Sequence, residues 1–417
     1  MIPQLKNVSG IPGIKASDCG TCHTAIYKEW QTSTHSQALH DLQFQSELAK
    51  DPGPAWICLN CHIPIQNQRE SFITGLESHD YRKPVHVANE GFDPSMREEG
   101  VTCATCHVRQ DDNGDSYILG SIGNTNPPHP VKIDKQALRN RCNDCHNVQH
   151  NLDTSLVCYF KTGDEMAESK HLPESEKYCS NCHLPNVKRS IVKAELNKPI
   201  RNSHKHSFYG GGVPKNFDLY RSLPESGFEP ALRVAVSGIK NTEQGIEVNL
   251  NIQNTNTAHK LPTGDPERAI EISLQLRDAK GNILGKDTIR IGQVWEWWPK
   301  AKLNDDNRLA PMEKRNLTIL LPYDLENISK SKTSIQENRE TDSFPEEIFI
   351  QAKHIRLSKE NAKIMMENAD QVNPRYSAKV KELDKFYPLS TNLLEIRYDI
   401  QSSKSSTKNW KELNPIQ

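Results

Sequence analysis

No stretch of this chain stays apolar for the roughly 18 residues a membrane-spanning helix needs. Neither sign of charge dominates: 52 Lys and Arg face 53 Asp and Glu, a net charge of −1. That balance offers no bulk electrostatic handle to nucleic acid or to an anionic membrane. A phosphate-cradling glycine loop, a Ser-His-Asp order and a paired-carboxylate site are all missing. Met1–Gly10 shows neither the basic start nor the apolar centre of a secretion signal. Apolar residues are scarce as well, at 35% of the chain, below the usual globular share. The shortage is worst before residue 210, where Asn, Gln, Ser and His crowd out apolar runs. Such a segment would ordinarily bury too little to offset its chain entropy. Something other than apolar side chains must supply its core.

What is present is the pattern Cys-x-x-Cys-His, five times over: Cys19–Cys22–His23, Cys58–Cys61–His62, Cys103–Cys106–His107, Cys142–Cys145–His146 and Cys179–Cys182–His183. This is the spacing of c-type haem attachment. Two thiols add to the vinyl groups of one porphyrin, and the next histidine becomes the proximal iron ligand. Zinc knuckles would have to pair into four-ligand sites, and five cannot. A thioredoxin-type site needs one motif, and a disulfide framework gives the repeated histidine no role. Five covalently attached haem c groups, each with its iron, are therefore expected, and their discs would be the missing core. Ten of the 11 cysteines are used in this way; Cys158 is left as a small buried apolar residue, an axial thiolate or an intermolecular disulfide partner.

The fold class expected is α+β: a mostly irregular and helical multihaem domain over 1–229, then an immunoglobulin-like β-sandwich over 230–417. In the first half Thr24–Ala38 and Glu165–His171 have helical character. Pro- and Gly-rich breaks fall at Asp51–Pro54, Asn124–Pro130 and Gly210–Pro214. After Glu229, β-type alternation marks Ala231–Ser237, Ile246–Gln253, Ala269–Leu276, Asn282–Ile291, Arg315–Leu321, Ile348–Arg356 and Leu393–Ile400. About seven strands suit such a sandwich. Asp278–Asn282 is a hairpin turn, Tyr323–Glu346 a polar loop and Lys359–Asn368 a helix. Trp295, Trp297 and Trp298 are expected to pack in the core or between domains.

The first block, Cys19–Gly–Thr–Cys22–His23 followed by Trp30–Gln31–Thr32–Ser33–Thr34–His35, resembles the tetrahaem cytochrome of ammonia-oxidising bacteria and the wider family of multihaem cytochromes with that haem arrangement. The likeness runs through Cys58–Leu–Asn–Cys61–His62, Gly100–Val101–Thr102–Cys103 and Cys142–Asn–Asp–Cys145, over roughly residues 16–185. The resemblance implies distal iron ligands: His35 for the third haem, His129 for the first and His171 for the fourth. Larger members carry His-x-Phe-x-Gly-Gly and Gly-His-x-x-Pro-Thr-Gly segments. His206, in His206–Ser–Phe208–Tyr–Gly210–Gly211, matches the former and is the candidate for the fifth haem, with His204 as its local rival. His259, in Ala258–His259–Lys–Leu–Pro262–Thr263–Gly264, matches the latter with Ala in place of Gly and is the candidate for the second. His86 is the reserve there; His40, His79, His150 and His354 have no pattern behind them and are expected to be solvated or to contact propionates.

Three functions follow as expectations. A set of mainly bis-histidine haems would carry electrons between other redox proteins or cytochromes. An open iron position, such as the family's tetrahaem member leaves on its second haem, would instead allow chemistry on small nitrogen or sulfur compounds. A subunit of a haem filament or larger redox complex, by self-association or complex membership, is the third. Haem attachment of this type is extracytoplasmic, so a periplasmic or extracellular location is expected, with the numbering beginning at or near a mature N-terminus.

Overall fold

The computed structural model describes residues 1–123, 126–151, 157–208, 210, 230–255, 257–297, 299–323 and 344–413. Outside that set lie most of the Tyr323–Glu346 loop, the 229/230 boundary, Trp298, Tyr209, Gly211 and part of the Asn124–Pro130 break. The side chain of His150 is also outside it.

In the first half short helices alternate with small sheets. β1 (Ser71–Leu76) pairs with β2 (Pro84–Ala88), and β3 (Val108–Gln110), β4 (Ser116–Gly120) and β5 (Val131–Ile133) form a three-stranded sheet. β6 (Asn147–Asn151) with β7 (Val157–Lys161), and β8 (Asn186–Arg189) with β9 (Arg201–His204), are two-stranded ribbons. Two-stranded ribbons are marginal alone, so these elements depend on what they enclose. The apolar clusters here are correspondingly small: Leu5, Val8, Ile14, Ile65, Met96, Ala104 and Val108 in one, Leu39, Phe44 and Ile63 in another.

The expected helix from Thr24 stops at Gln31 rather than Ala38. The reason is a run of hydroxyl residues. Thr32 Oγ1 donates to Glu29 O at 2.7 Å, Ser33 Oγ to Trp30 O at 2.6 Å and Ser36 Oγ to Ser33 O at 2.9 Å. Side-chain bonds of this kind compete with the helix ladder, and the chain turns through His35 instead. The second expected helix spans Thr162–Glu168, beginning three residues early and ending before His171.

The second half is a two-sheet sandwich. β10 (Leu232–Thr242), β11 (Gly245–Asn254) and β15 (Lys314–Pro322) form one antiparallel sheet. The other has the order β14-β13-β12-β16-β17-β18, where β12 is Ala269–Arg277, β13 Ile283–Glu296, β14 Lys302–Asp306, β16 Glu347–Ile355, β17 Ser390–Asp399 and β18 Lys404–Asn409. Strict alternation along β11 and β12 sends Ile246, Val248, Leu250, Ile252, Ile270, Ile272 and Leu274 inward, all at 0–1% exposure. Each such side chain contributes about 1.5–3 kcal/mol of burial, so this half has the core the first half lacks. The seven expected strands are found; β14 and β18 are additional. β18 was missed because Lys404–Asn409 is polar and exposed at every position. The Asp278–Asn282 hairpin is present, with Gly281 at φ +82°, where an L side chain would be strained.

Between β16 and β17 a helical excursion, Lys359–Glu367, Pro374–Val380 and Leu383–Phe386, packs Ala362, Met365, Tyr376, Val380 and Tyr387 against Leu42 of the first half. The two halves are hydrogen-bonded across this seam. His40 Nδ1 lies 2.7 Å from Tyr376 Oη, and Tyr387 Oη donates to Gln43 Oε1 at 2.7 Å.

Candidate haem-ligating histidines

Each motif is folded as a helical turn. Cys103–His107 and Cys179–His183 are complete five-residue helices, and Ala55–His62 ends on its motif. In the first and fourth motifs the histidine N–H donates to the first cysteine's carbonyl at 2.9 Å, His23 to Cys19 and His146 to Cys142. A three-residue step in a helical turn places both thiols on one side, as attachment to one macrocycle edge requires.

The motif histidines are oriented by backbone. His23 Nδ1 lies 2.7 Å from Ile191 O, His62 Nδ1 2.6 Å from Ala38 O and His107 Nδ1 2.9 Å from Leu119 O. A carbonyl acceptor fixes the N–H on Nδ1 and leaves Nε2 with its lone pair for a metal. The Phe44 ring stacks on His62 at 3.5 Å between centroids, with the planes 1° apart.

Three of these rings face a second histidine. His35 and His146 have centroids 6.2 Å apart, His107 and His206 6.3 Å, and His183 and His259 6.3 Å. A metal–imidazole bond is about 2 Å; two such bonds in line, with half a ring on each side, span about 6 Å. The separations therefore match two imidazoles with an iron between them. His206 Nδ1 lies 3.0 Å from His204 O, and His259 Nδ1 2.9 Å from Lys260 O, so both keep Nε2 available. Burial pushes His206 and His259 down to about 4, which keeps each imidazole neutral, the ligating form. His129 has a buried Nδ1 without a hydrogen-bond partner. Its pKa is lowered by burial and then by the nearness of His23.

This placement redistributes the expected pairs. The His35 ring faces the fourth motif rather than the third, His206 faces the third rather than the fifth, and His259 faces the fifth rather than the second. His129 lies near His23 of the first motif. His171 is exposed with Nδ1 2.8 Å from Ser169 Oγ, and the ring that faces the fourth motif's histidine is His35. His204 Nδ1 is taken by Leu184 O at 2.7 Å. His86 is exposed and contacts Ser71 Oγ, His40 has both ring nitrogens within hydrogen-bonding distance of partners, and His354 is buried in the second half. The Cys158 thiol meets Cys58 of the second motif. Trp295 stacks on Trp297 at 5.5 Å and meets Tyr159 edge-on at 5.3 Å, packing between the halves.

The supporting residues carry weaker sequence signals. Gly100, at φ +60°, lets Val101 N–H reach His35 O at 2.9 Å, and Trp30 Nε1 donates to Val101 O at 2.9 Å. Phe208 packs 4.4 Å from His35 and 5.8 Å from His206. Glu29 accepts from His206 N–H at 2.9 Å while pairing with Arg189. Near His259, burial would raise the Asp306 carboxyl, but Arg308 and Lys260 hold it well below the usual carboxylate range.

Residues 18–108 match the family described as cytochrome c554 and c-prime. No curated protein matches. Among solved structures, a penta-heme cytochrome c552 from Thermochromatium tepidum shares the fold, with a TM-score of 0.56 and 17% identity over 95% of this chain and 98% of that one. Motifs, facing histidines, family match and shared fold together support a multihaem c-type cytochrome with covalently bound haem c.

Proposed function

We propose that this chain binds five haems and passes electrons between redox partners outside the cytoplasm. The observation that carries the reading is the set of three facing histidine pairs at 6.2–6.3 Å. Haem iron with two histidines supplies reversible one-electron chemistry and leaves no position for substrate. In this reading His23 with His129, His107 with His206, His146 with His35 and His183 with His259 are the ligand pairs, and His62 is the proximal ligand of the remaining haem. His171 is not assigned to an iron.

Continuity between motifs supports a relay. The Cys19 thiol meets Cys103, Cys61 meets Cys145, and Cys142 meets Cys179. Those contacts join the first motif to the third, the second to the fourth and the fourth to the fifth. Cys106 of the third motif lies near Cys142 and Cys145, so the fourth motif is the junction. The strand order of the second half, three strands against a longer sheet centred on β12 and β16, supports the immunoglobulin-like reading and a domain boundary near 229/230. No helix among the described residues is long and apolar enough to cross a membrane. Intact mass of the denatured protein tests the stoichiometry: the polypeptide plus five haem masses is expected, and a smaller increment contradicts it.

A further inference from the structure

The loop carrying His259 belongs to the haem-free half, yet a side chain of the other half holds it. Glu165 lies on the helix Thr162–Glu168 and is 5% exposed. Its Oε2 accepts from Thr263 Oγ1 at 2.7 Å and from Lys260 N–H at 3.2 Å. Its Oε1 lies 2.8 Å from Nη1 of Arg308, itself 7% exposed at the side chain. Arg308 is held in turn by a two-point contact with Asp306, Nε to Oδ1 and Nη2 to Oδ2, both 2.8 Å. Lys260 Nζ reaches the same carboxylate at 3.0 Å. Leu261 and Leu309 exchange backbone hydrogen bonds at 2.9 and 3.1 Å, locking the two sandwich loops together. Asn254 Nδ2 and Thr257 Oγ1 then donate to His259 O at 3.1 and 2.8 Å.

A buried carboxylate is costly unless charge and hydrogen bonds compensate it. Glu165 has both, and every partner belongs to the loops that carry or brace His259. We propose that Glu165, through Arg308, Thr263 and the Lys260 amide, is a positioning residue that sets the His259 ring opposite His183. This inference rests on reading His183 and His259 as one iron's ligand pair. The helix bearing Glu165 follows the fourth motif, so the latch also ties the fifth-motif ligand to the segment next to the junction.

The test uses the full haem-loaded chain, with low-temperature EPR and a spectroscopic redox titration. His259→Ala should convert one haem from low-spin to high-spin, and added imidazole should restore it. Glu165→Ala should give a partial high-spin population at the same haem, shift its potential and likewise respond to imidazole. Glu165→Gln, which keeps the shape and the Thr263 contact, should lie between Glu165→Ala and the parent. In the double variant Glu165→Ala/His259→Ala the high-spin count should equal that of His259→Ala alone. If His259→Ala behaves as stated but both Glu165 variants keep the parent spectrum and potentials, the latch is wrong and the ligand pair stands. If His259→Ala leaves every haem low-spin, the pair fails and the positioning role falls with it.

Discussion

His35 shows how much of a site depends on groups that sequence patterns do not display. Its ring faces His146 because a hydroxyl-rich turn ends the helix before it and because Gly100 allows Val101 to clamp its carbonyl. A Cβ on Gly100 would sit 2.6 Å from His35 O in a backbone conformation with φ +60°. Gly100→Ala should therefore cost about 1–3 kcal/mol, measured as a lower unfolding midpoint, and should raise the high-spin fraction. His35→Ala should convert one low-spin haem to high-spin with all five still attached; a spectrum identical to the parent's would remove His35 from the ligand set. The motif cysteines and proximal histidines were legible because five close repeats are a local signal. The partners of His35, His206 and His259 were not, because which rings meet depends on how distant segments fold together. Sequence order and family resemblance therefore named three facing histidines but matched each to another motif.

At the scale of elements, the second half was the more legible because alternation is local and its core is dense. Leu274→Ala, at a position with 0% exposure on β12, should destabilise by about 2–5 kcal/mol, read by chemical denaturation of the haem-loaded chain. His354 carries a pH dependence. It sits on β16 opposite Ile270, and burial pushes it down to about 3, with Arg268 and Arg356 lowering it further. The folded state thus keeps His354 neutral where the unfolded chain protonates it at about 6.5. Between those values the unfolded state binds the extra proton, so stability falls as pH falls. His354→Gln should shrink the stability difference between pH 7 and pH 5 by about 2 kcal/mol. An unchanged difference would show that His354 titrates alike in both states. The helix expected over Lys359–Asn368 is found at Lys359–Glu367, whereas edge strand β18 and the rest of the excursion, 374–386, carry no clear sequence signal, for opposite reasons. The strand has no buried face, and the excursion's buried face is matched to Leu42 far away in the chain.

Across the whole molecule, the first half folds around groups that its own side chains do not replace, while the second half has a complete apolar core. Glu165, Tyr376 and Tyr387 join them at buried or half-buried contacts, so the haem-free half is built into the ligand geometry of the haem-bearing one. In the proposed function, facing histidines saturate most of the irons and make the chain an electron carrier. EPR with spin quantitation of the oxidised, fully haem-loaded protein tests it most directly. Low-spin signals are expected from at least four irons, those of the first, third, fourth and fifth motifs. Two or more high-spin irons would contradict it.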